Sequence, residues 1–178
     1  MQIRDNALRY GAVSRGFHWL MALLILWQLA GMAARVTLSS SHPLTLALAG
    51  RHQQVGTALF LLIVARLIWA ALNRRSRPRH GAHALAVRLG HGALYALMLL
   101  VPVAALLRAW GNERAFAPFG FQVFAERAPG EAVAWAVAFC NRVHGEAGWL
   151  LAFLMLGHVF MALHHHFARR DGTLRRMA

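Results

Sequence analysis

The chain has 178 residues, of which 58% are hydrophobic and only 14% are charged, and this is too apolar for a soluble domain of that size. Its net charge is +13, because the basic residues, all arginine, number 19 and the acids only 6. Such a charge can indicate nucleic-acid binding, but these arginines lie between long apolar runs, as in membrane proteins. The composition therefore predicts an integral membrane protein that does not bind nucleic acid.

Short motifs exclude further classes of protein. The single cysteine, Cys140, cannot form an intramolecular disulfide, and the absence of a C-x-x-C-H run excludes covalent c-type haem attachment. Neither a G-x-G-x-x-G pattern nor a P-loop is present, so the sequence predicts no nucleotide or flavin site.

Four stretches are long enough to cross a bilayer, which takes about 20 apolar residues. The first lacks a convincing cleavage site and is predicted to be a retained span rather than a signal peptide. Ala132–Cys140 is also apolar, and it either extends the fourth helix or forms an interfacial helix. Together the pattern predicts a single all-α integral membrane domain, residues 1–178, built as a four-transmembrane-helix bundle with spans at approximately 15–34, 52–72, 88–107 and 141–167.

Arginine placement predicts the orientation of the bundle. Thirteen arginines lie near the two termini and the second connection, whereas six arginines and four of the six acids lie on the other side. The positive-inside rule therefore places both termini in the cytoplasm. For a bacterial chain this means a multi-pass protein of the inner membrane, in contact with lipid. The richer side holds Arg4, Arg9, Arg15, Arg66, Arg74, Arg75, Arg77, Arg79, Arg88, Arg169, Arg170, Arg175 and Arg176.

The chain has 11 histidines, and ionisable residues within a span indicate function. His144 and His158 are separated by fourteen positions, which is about 21 Å along a helix and returns to within roughly 40° of the same face. His18 begins the first span and His52 begins the second, at opposite sides of the membrane. Depth therefore pairs His18 with His158, and His52 with His144.

Each pair is suited to one iron porphyrin, since nitrogens bound at ~2 Å across a metal lie about 4 Å apart. Two neutral imidazoles leave the iron no open position, which favours electron transfer. The sequence thus predicts two non-covalent b-type haems. The alternatives are histidines that only form hydrogen bonds within the core, or a zinc site, which would need three or four ligands at one depth.

Further polar residues lie near the predicted haem closer to the termini. Arg15 and Arg66 can bind haem propionates or anchor the inner leaflet. His91 and His165 can donate a hydrogen bond and a proton to a quinone. The run His164–His166 can instead be a solvated helix end that complements the helix dipole. His42, His80 and His83 are predicted to lie in loops.

Several of these segments resemble the bacterial cytochrome b561 family, and the resemblance covers nearly the whole chain. The segments are Arg15-Gly16-Phe17-His18-Trp19-Leu20, His52-Gln53-Gln54-Val55-Gly56, Arg88-Leu89-Gly90-His91, Val143-His144-Gly145-Glu146, His165-His166-Phe167 and Asp171-Gly172-Thr173-Leu174-Arg175-Arg176-Met177.

The resemblance implies a four-helix inner-membrane dihaem protein with His18, His52, His144 and His158 as haem ligands. One member type of the family oxidises superoxide at the periplasmic face and passes the electron to ubiquinone. If this chain does likewise, a set of arginines on that face can steer the anion, although four glutamates there reduce the positive field. These arginines are Arg51, Arg108, Arg114, Arg127 and Arg142.

The functional hypothesis is an oxidoreductase that takes electrons from a periplasmic one-electron donor, such as superoxide, and delivers them to ubiquinone near His91 and His165. One alternative is a cytochrome b anchor subunit that relays electrons for a larger dehydrogenase or hydrogenase. Another is a transporter that uses its histidines for protons or metal.

Overall fold

The computed structural model describes residues 2–76, 78 and 84–177. Arg77, Arg79, His80 and His83, which the sequence assigns to the second connection, lie outside the described residues.

Four long helices make up most of the described chain, and all four are long and apolar enough to cross a membrane. Even the shortest, with 21 residues, spans about 31 Å, which matches a hydrocarbon core about 30 Å thick. The described part contains one isolated β-bridge and no strand. The predicted all-α four-helix class is confirmed. The helices are α1 (Ala12–Thr37), α2 (Pro43–Ala49), α3 (His52–Leu72), α4 (Ala84–Gly111) and α5 (Ala134–His164), of which α2 is short.

Three of the long helices extend beyond the apolar runs that predicted them. Because α5 begins at Ala134, most of the apolar segment Ala132–Cys140 is its first turns rather than a separate interfacial helix. The short helix α2 was not predicted, since seven residues show too little periodicity. Its start is nevertheless well defined, with Pro43 in the first turn and the His42 ring accepting a hydrogen bond from the Leu44 amide at 3.2 Å.

The bundle closes around two small buried clusters. Leu94 and Leu97 of α4 pack against Ala147 and Leu151 of α5, and this is the most extensive helix pair in the described chain. The second cluster consists of Met21, Ile25 and Ile63 and joins α1 to α3. Met98 and Met155 lie at the edge of both clusters and connect the two halves of the bundle.

Most of the outer surface of the helices is apolar. Leu23, Leu61 and Phe153 expose 65%, 62% and 72% of their surface. A soluble monomer rarely exposes so large an apolar surface. The exposed side chains are therefore those of helices in contact with lipid.

The connection between α4 and α5 forms a small hairpin. Phe116 and Phe124 pair through an antiparallel bridge, and the turn passes through left-handed φ values of 56° at Phe119 and 83° at Gly120. Phe121 exposes 77% of its surface and Phe119 58%, so the tip of the hairpin is aromatic and exposed.

The two termini meet at the same end of the bundle. The Tyr10 amide donates to the Arg176 carbonyl at 3.2 Å, and the Trp19 indole N–H donates to the Met177 carbonyl at 2.9 Å. We call this the termini end and the opposite side, which carries α2 and the 112–133 connection, the loop end. Placement of the termini end in the cytoplasm stays a prediction.

Asp171 orders the tail that follows α5. The helix loosens into a π-helical turn at His165–Arg169, and Arg170 reverses the chain with φ 53°. Asp171 then accepts hydrogen bonds from the Thr173 amide at 3.0 Å and from Nδ1 of His165. The hydrogen bonds from Thr173 and His165 hold the pKa of Asp171 well below its ordinary value.

We expect Leu151→Ala to destabilise the bundle by about 2 kcal/mol or more, because it leaves a cavity between α4 and α5. The measurement is the thermal unfolding midpoint of the detergent-purified protein. Leu150→Ala is the matched control, since Leu150 is 50% exposed and Leu151 only 7%, and it should change stability by less than about 0.5 kcal/mol. An equal decrease of the unfolding midpoint in the two variants would contradict the packing of Leu151 between α4 and α5.

We expect Asp171→Asn to speed tryptic cleavage after Arg169 and Arg170, because the tail loses its charged acceptor. A depressed carboxyl pKa stabilises the fold above its ordinary range near 4, and this stabilisation is lost as pH falls below that range. The protection of the tail's backbone amides against hydrogen exchange, relative to an unstructured peptide at the same pH, should therefore be high at neutral pH and fall in acid only in the wild type. Glu126→Gln, in the other connection, is the control, and unchanged cleavage in Asp171→Asn would refute this role.

Candidate functional site

Two pairs of histidine rings face each other inside the bundle, one towards each end. At the termini end, the ring centroids of His18 on α1 and His158 on α5 are 6.2 Å apart. At the loop end, those of His52 on α3 and His144 on α5 are 5.9 Å apart. Each pair combines one ring of α5 with a ring from another helix, as the depth argument predicted.

These separations can be compared with metal coordination. Two imidazole nitrogens on opposite sides of one metal ion, each about 2 Å from it, place the ring centroids about 6 Å apart, since each ring centre lies about 1 Å beyond its nitrogen. Both measured separations fit this value. The residues in both pairs are therefore compatible with one bis-histidine haem iron at each level.

Hydrogen bonds prepare the loop-end pair for coordination. Nδ1–H of His144 donates to the Val101 carbonyl at 2.9 Å, which leaves the lone pair on Nε2 available to a metal. The main-chain carbonyl of His52 accepts a hydrogen bond from Gln28 Nε2 at 2.9 Å, while Nδ1 of His52 is buried without a hydrogen-bond partner. Gln28 and Val101 thus fix this pair from α1 and α4.

A half-buried guanidinium lies against the termini-end pair. Arg66 of α3 donates from Nη2 to Nδ1 of His18 at 3.3 Å, and its Cζ lies 5.4 Å from the centre of the Tyr95 ring. Within the described residues, no carboxylate lies at ion-pair distance from it. Arg15, the other predicted propionate partner, lies one turn before His18 on α1 and is also half-buried.

Glycines lie next to several of these histidines, where the protein itself does not require them. A Cβ added to any of them would meet no atom within 4 Å, although glycine within a helix costs roughly 0.5–1 kcal/mol relative to alanine. All five glycines are exposed, so the open space beside them lies on the outer surface of the helices. The glycines are Gly16, Gly90, Gly92, Gly145 and Gly157.

The two residues predicted to act on a quinone occupy different surroundings. His91 lies beside the termini-end pair, with its ring centroid 5.4 Å from that of His158. Its Nδ1–H donates to the Val87 carbonyl at 2.7 Å. His165 lies at the end of α5 and bonds to Asp171.

The described residues contain no group of three or more His, Cys, Asp or Glu side chains that could hold a metal ion. That finding does not support the zinc alternative, which needs several ligands at one depth.

Sequence reasoning did not identify three contributors to the site. Gln28, Tyr95 and the Val101 carbonyl each contact a predicted site residue. A glutamine in the middle of an apolar span was a usable signal, because polar groups are costly there. The contacts of Tyr95 and Val101 depend on how α4 is rotated, which the sequence does not show.

The chain is similar to known proteins over nearly its whole length. A family model described as prokaryotic cytochrome b561 matches residues 9–178. Cytochrome b561 homolog 2 of Escherichia coli (strain K12) is 32% identical over 99% of this chain and 95% of its own length. Cytochrome b561 homolog 1 of the same organism is 24% identical over 95% and 96%. The chain therefore belongs to the prokaryotic cytochrome b561 family of membrane electron carriers that bind haem b.

Proposed function

We propose that this chain is a dihaem electron carrier of the bacterial inner membrane that passes electrons from a periplasmic one-electron donor to ubiquinone. The observation that carries the proposal is the separation of the two histidine pairs, 6.2 Å and 5.9 Å between centroids. His18 and His158 would hold one haem, and His52 and His144 the other. Bound haem supplies reversible one-electron chemistry, and a histidine on each face leaves the iron no open position.

His18 is a better partner for His158 than His91 is. The His91–His158 centroid separation of 5.4 Å is shorter than the roughly 6 Å expected for rings on opposite sides of one metal ion. In addition, His91 is exposed, whereas His18 is half-buried. His91 would therefore take a second role beside the same pair.

Arg66 and Arg15 would bind the propionates of the haem at the termini end. A guanidinium binds a carboxylate through two parallel hydrogen bonds. Half-buried Arg66 has no carboxylate at ion-pair distance within the described residues, and such a cation is costly within a membrane. The contacts of Arg66 with His18 and Tyr95 hold its charge at this level of the bundle.

The quinone would bind at the termini end between His91 and the end of α5. With its Nδ1 proton donated to Val87, neutral His91 presents Nε2, which accepts a proton from a quinol hydroxyl, or, as imidazolium, donates one to a quinone carbonyl. His165, hydrogen-bonded to Asp171, would exchange protons with the aqueous side. Both residues would thus couple proton movement to quinone chemistry.

The donor would react at the loop end, close to His52 and His144. Some arginines there are already engaged, since Arg142 pairs with Glu146 at 2.7 Å and Arg108 bonds to Asn141 at 2.9 Å. Exposed Arg35 and Arg51 remain to attract a small anion. Superoxide is the first donor to test, and its oxidation to oxygen should slow as ionic strength rises.

We expect single alanine variants of the four paired histidines to reduce the haem content from two per chain to one, because one remaining ligand holds haem poorly. The measurement is the pyridine haemochrome content per chain of the purified protein. Double variants test the pairing. His18→Ala/His158→Ala should keep one haem, whereas His18→Ala/His144→Ala should keep none.

His42→Ala is the matched control, because His42 caps α2 and should leave two haems in place. A protein that purifies without haem would refute the proposed function. Equal haem content in the two double variants would refute only the pairing.

We expect His91→Ala to slow the reoxidation of the reduced protein by ubiquinone at least tenfold, as is typical for loss of a positioned proton donor. The measurement is stopped-flow reoxidation in proteoliposomes that contain ubiquinone, followed at the haem absorption band. His165→Ala should also slow the reoxidation, whereas His42→Ala should not change its rate. Wild-type rates in both variants, with haem content intact, would place the quinone elsewhere.

A further inference from the structure

The two histidine pairs differ in the charge that surrounds them. Arg66 places a permanent positive charge 3.3 Å from a ring nitrogen of His18, because a guanidinium is not deprotonated in proteins. The hydrogen-bond partners of the loop-end pair are neutral. Val101 accepts from His144, and Gln28 donates to the carbonyl of His52.

The arginines at the loop end do not balance this difference. Arg35, Arg51 and Arg142 are exposed, and Glu146 neutralises Arg142. Arg108 is half-buried, but its guanidinium bonds to Asn141 in an exposed hydrogen bond. Water and salt screen exposed charges, so their effect on a buried group is small. Arg66, in the second half of α3, instead makes part-buried contacts with His18 and Met21 and lies over the Tyr95 ring.

Both differences act on the reduction potential in the same direction. A nearby positive charge favours the reduced iron, which carries one positive charge fewer. At the loop end, the hydrogen bond from His144 to Val101 makes the imidazole a stronger base and so favours the oxidised iron. The termini-end site is therefore the easier of the two to reduce.

We propose that Arg66 raises the reduction potential of the haem held by His18 and His158 above that of the other haem, and so sets electron flow from the loop end to the termini end. This inference rests on the proposed function. It does not depend on whether the guanidinium faces His18 or a propionate, since its removal takes one positive charge from the site in either case.

The size of the effect can be bounded from Coulomb's law. At an effective dielectric constant near 20, a unit charge about 12 Å from a redox centre changes the equilibrium constant about tenfold, and a closer charge changes it more. For a one-electron couple, tenfold corresponds to about 59 mV.

The experiment is a potentiometric redox titration of the purified dihaem protein, followed at the haem absorption band, in the wild type and three variants. Arg66→Gln removes the charge, Arg66→Lys keeps it, and Arg88→Gln removes an exposed arginine of the same end. In the wild type we expect two midpoint potentials, one for each haem, whose difference corresponds to at least a tenfold difference in the equilibrium constant for reduction. Arg66→Gln should lower the higher midpoint potential by the equivalent of tenfold or more in the equilibrium constant for reduction. The lower midpoint potential should not change.

Arg66→Lys should keep most of the difference between the two midpoint potentials. Arg88→Gln should change the equilibrium constant for reduction of either haem by no more than about twofold, as for other screened surface charges. A shift of the lower midpoint in Arg66→Gln, or equal shifts in Arg66→Gln and Arg66→Lys, would overturn the inference. So would a single wild-type midpoint for both haems.

A second measurement does not require any Arg66 variant to fold. His52→Ala/His144→Ala should retain only the termini-end haem, and its midpoint should match the higher wild-type value. A match with the lower value would overturn the inference, while the dihaem function would stand. A wild-type protein without haem would instead refute the proposed function itself.

Discussion

The spacing of two imidazoles on one helix is the constraint on which the rest of the structure depends. α5 presents His144 and His158 on nearly one face at two depths, so every partner must come from another helix at the matching depth. α3 supplies His52 at its first residue and α1 supplies His18 in its second turn. The two pairs place α1 and α3 opposite α5, and the hydrophobic clusters must accommodate that arrangement.

The core is correspondingly thin. Leu94, Leu97, Ala147 and Leu151 hold α4 to α5, and a separate cluster holds α1 to α3. Only flexible side chains such as Met98 and Met155 reach both clusters, and methionine adapts well to irregular gaps. Haem binding and folding stability should therefore be strongly coupled.

Several polar groups inside the spans contact the paired histidines. Each is costly in a low-dielectric medium, and the ones that contact the site do so in defined ways. Gln28 fixes the backbone at His52, Val101 fixes the ring of His144, and Arg66 contacts His18. The same low dielectric that makes Arg66 costly also makes its charge effective at a redox centre, whereas the arginines at the aqueous surface are screened.

The sequence alone determined the number of long helices and the four histidines whose rings face each other in two pairs. These follow from local properties, namely the length of apolar runs and the regular rise and rotation of a helix. Tertiary structure decided the rest. The short helix α2, the contact of Arg66 with His18, the position of His91 beside His158 and the bond from His165 to Asp171 all depend on how helices rotate and cross and on where the tail turns. Those angles are set by many weak side-chain contacts between segments distant in sequence, and no local pattern records them.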